Sequence, residues 1–216
     1  MNKLEETYRT LIGQSNVIYS QDGEDIIFNS LFKNKSNGFY VDVGAHHPYR
    51  FSNTYLLYKK GWSGINIDAT PGTKKIFDQV RKRDINLELA ISEKSGECYL
   101  YQFSEPALNC IKDIDDDYVP SSDHSRSKIK SLTLREVFKM YLKKSKIDLL
   151  LVDTEGYDLA VLKSNDWLKY CPTVVMVEIG TRSIDLISST KLHAFLTTKR
   201  YKLAYKTYRN AIYLKE

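Results

Sequence analysis

Four short apolar runs, each ending on or beside an acidic residue at a turn, constrain this chain more than any other feature. They are Phe39-Tyr-Val-Asp-Val43 before Gly44, Ile65-Asn-Ile-Asp68, Ile147-Asp-Leu-Leu-Leu-Val-Asp153 before Thr154-Glu-Gly156, and Thr173-Val-Val-Met-Val-Glu-Ile179. Runs of this length, bounded by turns, read as buried strands. Helix-like segments separate them, and strand–helix–strand alternation predicts right-handed parallel crossovers. In such a sheet, ligands bind beyond the carboxyl ends of the strands. Asp42, Asp68, Asp153, Glu155 and Glu178 would then converge on one edge. Like charges gathered in a cleft need a cationic or hydrogen-bond-donating partner.

The intervening segments fill in the frame. Residues 1–13 place Leu4, Tyr8, Leu11 and Ile12 at helical spacing, within an N-terminal helical segment 1–35. Ser20 or Asp22 is placed to cap a helix opening with Glu24 and Asp25, as the helix dipole prefers. The alternative turns Gln21, Glu24 or Asp25 toward the ligand end of the sheet. Thr54–Lys60 reads as a short helix closed by Gly61, and Thr70-Pro71 as the cap and first turn of another. Asn86–Ile91 reads as one strand, Glu97–Phe103 as an extra strand and Lys128–Thr133 as a connecting strand. Residues 104–127, with Pro106, Pro120 and the acidic Asp113–Asp117 cluster, read as a lid or flexible substrate loop. Leu134–Lys144 reads as a helix with Val137, Phe138, Tyr141 and Leu142 on its inner face, and Leu192–Lys199 as another. Tyr201–Thr207 and Ala211–Leu214 form a hairpin, which puts one antiparallel strand at the edge of a mostly parallel sheet. No repeat or linker divides the 216 residues, so one domain spanning 1–216 is expected.

Composition excludes several classes. No apolar run is long enough to cross a bilayer, and the first residues lack a signal peptide's apolar core, so a cytoplasmic location is expected. Cys98, Cys110 and Cys171 are odd in number and widely spaced, which suits buried or incidental thiols rather than disulfides or zinc. A net charge of +5 permits anionic partners but gives no strong nucleic-acid signal. Gly44-Ala-His-His-Pro48 lacks the second and third glycines of a dinucleotide fingerprint, so a pyrophosphate has no cradle there. Asp68 still stands where an acidic residue accepts ribose hydroxyls. A ligand with a ribose but no diphosphate fits both observations.

As a set, Ser20-Gln-Asp-Gly-Glu-Asp25, Tyr40–Pro48, Ser52-Asn-Thr54, Gly61–Asp68, Leu89-Ala-Ile-Ser92 and Asp148–Asp158 resemble the FkbM-type S-adenosylmethionine-dependent methyltransferases. The resemblance spans roughly residues 17–180. His46 and Pro48 stand where the family often has Asn and Gly, and Asp153-Thr-Glu-Gly156 stands for its Asp-Val-Glu-Gly segment. It implies a class I methyltransferase fold: a Rossmann-like α/β domain whose mostly parallel seven-stranded sheet ends in an antiparallel hairpin, with helices on both faces. It implies S-adenosyl-L-methionine as cofactor, held by Gln21, Asp42, Gly44, Ala45, Asp68, Ala69, Ala90, Ile91 and Asp153. Asp42 and Gly44 would flank its methionine part, Asp68 its ribose, and Ala90-Ile91 its adenine. A sugar hydroxyl is a poor nucleophile that a general base would help, and Asp153, Glu155 and His46 are the candidates, in that order.

The expected reaction is O-methylation of a sugar or glycan-related small molecule. Asp153, Glu155 and Glu178 offer hard oxygen ligands that suit magnesium, although nothing in their spacing demands a metal. Two rivals are a dinucleotide-dependent oxidoreductase or epimerase, and a non-catalytic nucleotide- or RNA-binding module. The first is opposed by the missing glycines. The second leaves the strand-end carboxylates unexplained.

Overall fold

The computed structural model describes residues 17–113, 123–142, 146–181 and 183–216. The expected leading helix over 1–13 lies outside them. Seven strands form the main sheet: β1 (Phe39–Val43), β2 (Ser63–Asp68), β3 (Ile85–Glu88), β8 (Leu149–Val152), β9 (Val174–Glu178), β10 (Tyr201–Lys206) and β11 (Asn210–Lys215). Their order is β10-β11-β9-β8-β1-β2-β3. β1 pairs in parallel with β2 and β8, β2 with β3, and β8 with β9.

Alternation along these strands builds two cores. Val41, Val43, Ile65, Ile67, Leu150, Val152, Val175 and Val177 face one side, against Val137 and Phe138 of α4 (Leu134–Tyr141), Val161 and Leu162 of α5 (Asp158–Lys163) and Leu196 of α6 (Lys191–Thr198). Tyr40, Leu149, Leu151, Val174, Met176 and Ile212 face the other, against Phe28 of α1 (Glu24–Leu31), Leu57 of α2 (Tyr55–Lys59) and Trp62. Each fully buried side chain of this kind contributes about 1.5–3 kcal/mol. Helices therefore cover both faces, as expected of a mostly parallel sheet.

The hairpin forms, but its reversed strand is not at the edge. β11 runs antiparallel to both β9 and β10 and lies between them, so β10 is the edge strand. The apolar Ala211-Ile-Tyr213 segment is fully buried, whereas β10 exposes Lys202 and Tyr205, and burial puts the more apolar strand inside.

A second sheet, ordered β4-β7-β5-β6, was not expected. It comprises β4 (Ala90–Ile91), β5 (Gly96–Gln102), β6 (Cys110–Asp113) and β7 (Ser125–Leu132). Asn86–Ile91 is thus two strands, broken at Leu89, whose N–H donates to Asp68 O at 3.0 Å as the chain leaves one sheet for the other. The connecting strand begins at Ser125 rather than Lys128 and pairs with β5 from Ser125 to Ser131. Within 104–127, a 3₁₀ turn at Pro106–Leu108 leads into β6; residues 114–122 lie outside the described set.

Helix starts also differ from the sequence expectation. α1 begins after Gly23 at φ 85°, with Ser20 Oγ accepting the N–H groups of Gly23 and Asp25. α3 (Thr73–Val80) begins after Gly72 at φ 89°, leaving Thr70-Pro71 outside it, because Asp68 already accepts the Thr70 N–H. On α4, Val137 and Phe138 are buried but Tyr141 is exposed. Cys98 and Cys110 are buried thiols and Cys171 is an exposed one.

Candidate functional site

The carboxyl ends of β1, β2, β8 and β9 open onto a two-lobed cavity. The first lobe is walled by Ile67, Leu89, Ala90, Ile91, Leu100 and Ile111, with Asp68, Ala69 and Thr70 at one side. The second is lined by Gln21, Asp42, Ala45, Phe51, Asn53, Glu178 and Arg209. Gly44, His46, Ala107, Asp153 and Glu155 line both lobes and mark their junction. The strand-end carboxylates read from the sequence do converge, and Ala69, Ala90 and Ile91 join Asp68 in the first lobe. Gln21, Asp42 and Ala45 fall in the second lobe rather than beside Asp68.

Gly44 sits at φ 82°, and a Cβ there would lie 1.7 Å from the carbonyl oxygen of Asp153. The close approach that requires glycine is therefore made by the neighbouring strand end. It brings Asp153 alongside β1.

Asp68 is already organised. Its Oδ2 accepts the His46 N–H at 2.7 Å and its Oδ1 the Thr70 N–H at 2.8 Å. Each oxygen keeps a lone pair for a further donor. The loop from His46 to Thr54 is held from beneath by Arg81, which is fully buried. Its guanidinium donates to Pro48 O, Tyr40 Oη, Ser52 Oγ and Thr54 Oγ1 at 2.8–3.2 Å. Thr54 Oγ1 in turn donates to Asp42 at 2.9 Å, while burial pushes Asp42 up to about 6.

The second lobe is electrostatically different. Oxygens of Asp153, Glu155 and Glu178 lie within 4.8 Å of one another, a grouping that could hold a hard divalent cation. Burial first, then the neighbouring Glu178, pushes Glu155 up to about 7, with Arg209 opposing. Burial and the Glu178, Asp158 and Glu155 carboxylates hold Asp153 well above the carboxylate range. Asp158 is pushed up to about 7 by burial and Glu178, although the Thr154 and Gly156 N–H groups stabilise its charge. Burial raises Glu178 too, against the pull of Arg209 and Lys206.

Among the described residues, four non-glycines adopt positive φ: His46 at 52°, Phe51 at 58°, Glu155 at 52° and Arg200 at 63°. The first three line the second lobe. Such backbone costs about 1–3 kcal/mol per residue and gathers at functional sites. Asn53 Oδ1 and Thr154 Oγ1, on the cavity walls, are buried without a hydrogen-bond partner.

His46 is further constrained. Arg50 Nη1 lies 2.9 Å from His46 Nε2, and because a guanidinium only donates, that nitrogen accepts. The proton of the neutral ring is then on Nδ1. Burial lowers the pKa of His46, against the pull of Asp68 and with the help of the Arg50 charge. Its one basic nitrogen is occupied, which places it behind the carboxylates as a base.

Several lining residues were invisible to sequence patterns. Glu178 was read as a strand-end carboxylate and possible metal ligand, whereas Phe51 and Arg209 were not read as site residues. Arg209 is fixed by Asp22, whose carboxylate accepts its N–H at 3.1 Å and its Nη1 at 3.2 Å. Glu24 braces the same turn by accepting from Thr207 and Asn210 at 2.6 and 2.8 Å. Glu24 and Asp25 are buried and spent on such contacts, so of that segment Gln21 alone lines the cavity.

No curated protein matches this sequence. Among solved structures, a TehB-like SAM-dependent methyltransferase from Corynebacterium glutamicum ATCC 13032 Kitasato aligns over 99% of this chain and 96% of its own. The identity is 12% and the TM-score 0.42, too low to carry an argument, so the fold rests on the strand order above. The methyltransferase FkbM domain model matches residues 42–203, which include every strand end that lines the cavity, and the chain belongs to that family.

Proposed function

We propose that this protein is an S-adenosylmethionine-dependent methyltransferase that methylates a hydroxyl of a sugar or glycan-related small molecule. The observation that carries the reading is the two-lobed cavity itself, in a chain of the methyltransferase FkbM family. The donor set fits the cofactor. The apolar wall at Leu89, Ala90, Ile91 and Ile111 suits an adenine, Asp68 has lone pairs for ribose hydroxyls, and the carboxylates at the junction suit a cation. Asp42, Gly44, Ala45 and Gln21 would receive the methionine part.

When bound, the cofactor supplies an electrophilic methyl carbon on a sulfonium, whose sulfur keeps the carbon–sulfur electron pair. The protein's tasks are orientation, exclusion of water and removal of one proton. Glu155 is the best-matched base: it lies at the junction, and its pKa of about 7 makes it half ionised at neutral pH. It would take the hydroxyl proton as the acceptor oxygen bonds to carbon. Asp153, whose carboxyl is pushed up by burial and by its acidic neighbours, would position the acceptor beside Glu155. This reverses the order that the sequence suggested.

Parallel calorimetric titrations with S-adenosylhomocysteine and NAD test the reading. Binding of the thioether without NAD is expected. Binding of NAD with no response to the thioether would overturn it.

A further inference from the structure

Two segments from different sheets meet over the cavity. One is the His46–Phe51 loop after β1, and the other is the strap 105–109, which joins β5 to β6 as the tip of the second sheet's hairpin. Pro106, Ala107 and Asn109 line the first lobe, and Ala107 and Leu108 the second. The strap is tied down at two points. At one, Asn109 Nδ2 donates to Thr70 Oγ1 at 3.0 Å. At the other, Arg50 makes a bidentate pair with Glu105 at 2.9 and 2.8 Å.

The geometry points to Arg50 and Glu105 as a positioning pair, a clasp that holds the strap over the cavity, slows cofactor exchange and fixes the His46 tautomer. The inference rests on the cofactor reading above. An exposed ion pair ordinarily adds little to stability, and this one is about as exposed as such pairs are. Its position gives it another role. The guanidinium lies 4.2 Å from the Phe51 ring and donates to His46 Nε2, so one side chain fixes two residues of the second lobe. Glu105 Oε1 also accepts the Ala107 N–H at 3.1 Å, which couples the pair to the turn that roofs both lobes. A bidentate, planar match is the strong form of such a contact. It is also one that salt weakens where water reaches it.

The test uses the full chain and S-adenosylhomocysteine as probe, with dissociation followed by stopped flow. For the wild type, the dissociation rate is expected to rise about fivefold from low salt to molar salt. Glu105→Gln, which keeps the side chain's shape, and Arg50→Ala should both dissociate at the fast rate at every salt concentration, with melting temperatures close to wild type. The exchanged pair, Arg50→Glu with Glu105→Arg, should recover slow, salt-sensitive release. Nitrogen-15 spectra should show His46 neutral with its proton on Nδ1 in the wild type and a tautomer mixture in Arg50→Ala. Rates that ignore salt and stay within about twofold of wild type in both single variants would overturn the clasp while leaving the cofactor reading intact. Failure of the wild type to bind the probe would overturn the cofactor reading, and the clasp's kinetic role with it.

Discussion

The two lobes of the cavity hold the same kind of residue in opposite conditions. In the first, both oxygens of Asp68 already receive backbone N–H groups, and the surrounding wall is apolar. In the second, Asp153, Glu155 and Glu178 accept no hydrogen bond from any described residue and repel one another. Three strained backbone positions surround them. The first lobe is set up to bind without rearrangement. The second stores electrostatic and conformational cost that a bound cation or an acceptor's donors would relieve. That difference suits a cleft with one half for recognition and the other for chemistry.

The largest expected effect tests the chemical half. Glu155→Gln should lower kcat about 10²- to 10³-fold while S-adenosylhomocysteine affinity stays within about threefold. Asp153→Asn should cost less. If it costs more, Asp153 is the base and the division of labour drawn here is wrong. At the seam between lobes, Gly44→Ala should destabilise the fold by about 3 kcal/mol or more, read by chemical denaturation, because the new Cβ meets the Asp153 carbonyl. For the recognition half, Asp68→Ala should weaken cofactor binding about 10- to 100-fold by calorimetry, with kcat at saturating cofactor nearly preserved. An unchanged affinity would remove Asp68 from the ribose site.

Two smaller effects concern the stored cost. Asp42, Glu155 and Asp158 have folded pKa values of about 6, 7 and 7, all above their unfolded values. Between about pH 4 and 7 the folded state therefore binds more protons than the unfolded chain, and stability falls as pH rises through that window. The melting temperature should decline from pH 5 to pH 8, less steeply in Glu155→Gln. Turnover should move the other way, rising through about pH 7 in the wild type as Glu155 ionises. The smallest effect is Glu155→Gly. Relieving φ 52° should raise stability by about 1 kcal/mol while activity is lost, a gain that an ordinary surface glutamate would not give.

The main sheet was legible because burial on both faces leaves a continuous apolar run, as in Leu149–Val152 and Val174–Val177. The converging carboxylates followed from parallel topology alone. The second sheet was not legible. Through Ser125–Lys130, β7 is exposed or half-buried and carries Ile129 as its one apolar residue, and nothing in Asn86–Ile91 signals that the chain changes sheets at Leu89. Without that sheet, the strap and its clasp have no address. Arg81 was hidden for another reason: a run of three cations, Arg81-Lys82-Arg83, after α3 reads as a solvated face, and the oxygens that accept from Arg81 come from β1 and the His46–Thr54 loop. Glu155 and Asp153 were both named, but their ranking needed the burial and mutual repulsion that only three dimensions supply.

The placement of β11 bears on how the molecule is assembled. Among the described strands, β10 pairs with β11 alone, and β11 also closes the free side of β9. A nascent chain that has reached Arg209 can therefore form neither contact. β9 stays an open edge, able to pair with another chain, until Asn210–Lys215 threads between two strands made before it. The same event seats Arg209 against Asp22, nearly the whole described chain away in sequence. The second lobe is thus incomplete until β11 is in place, and its formation reports that this strand has inserted.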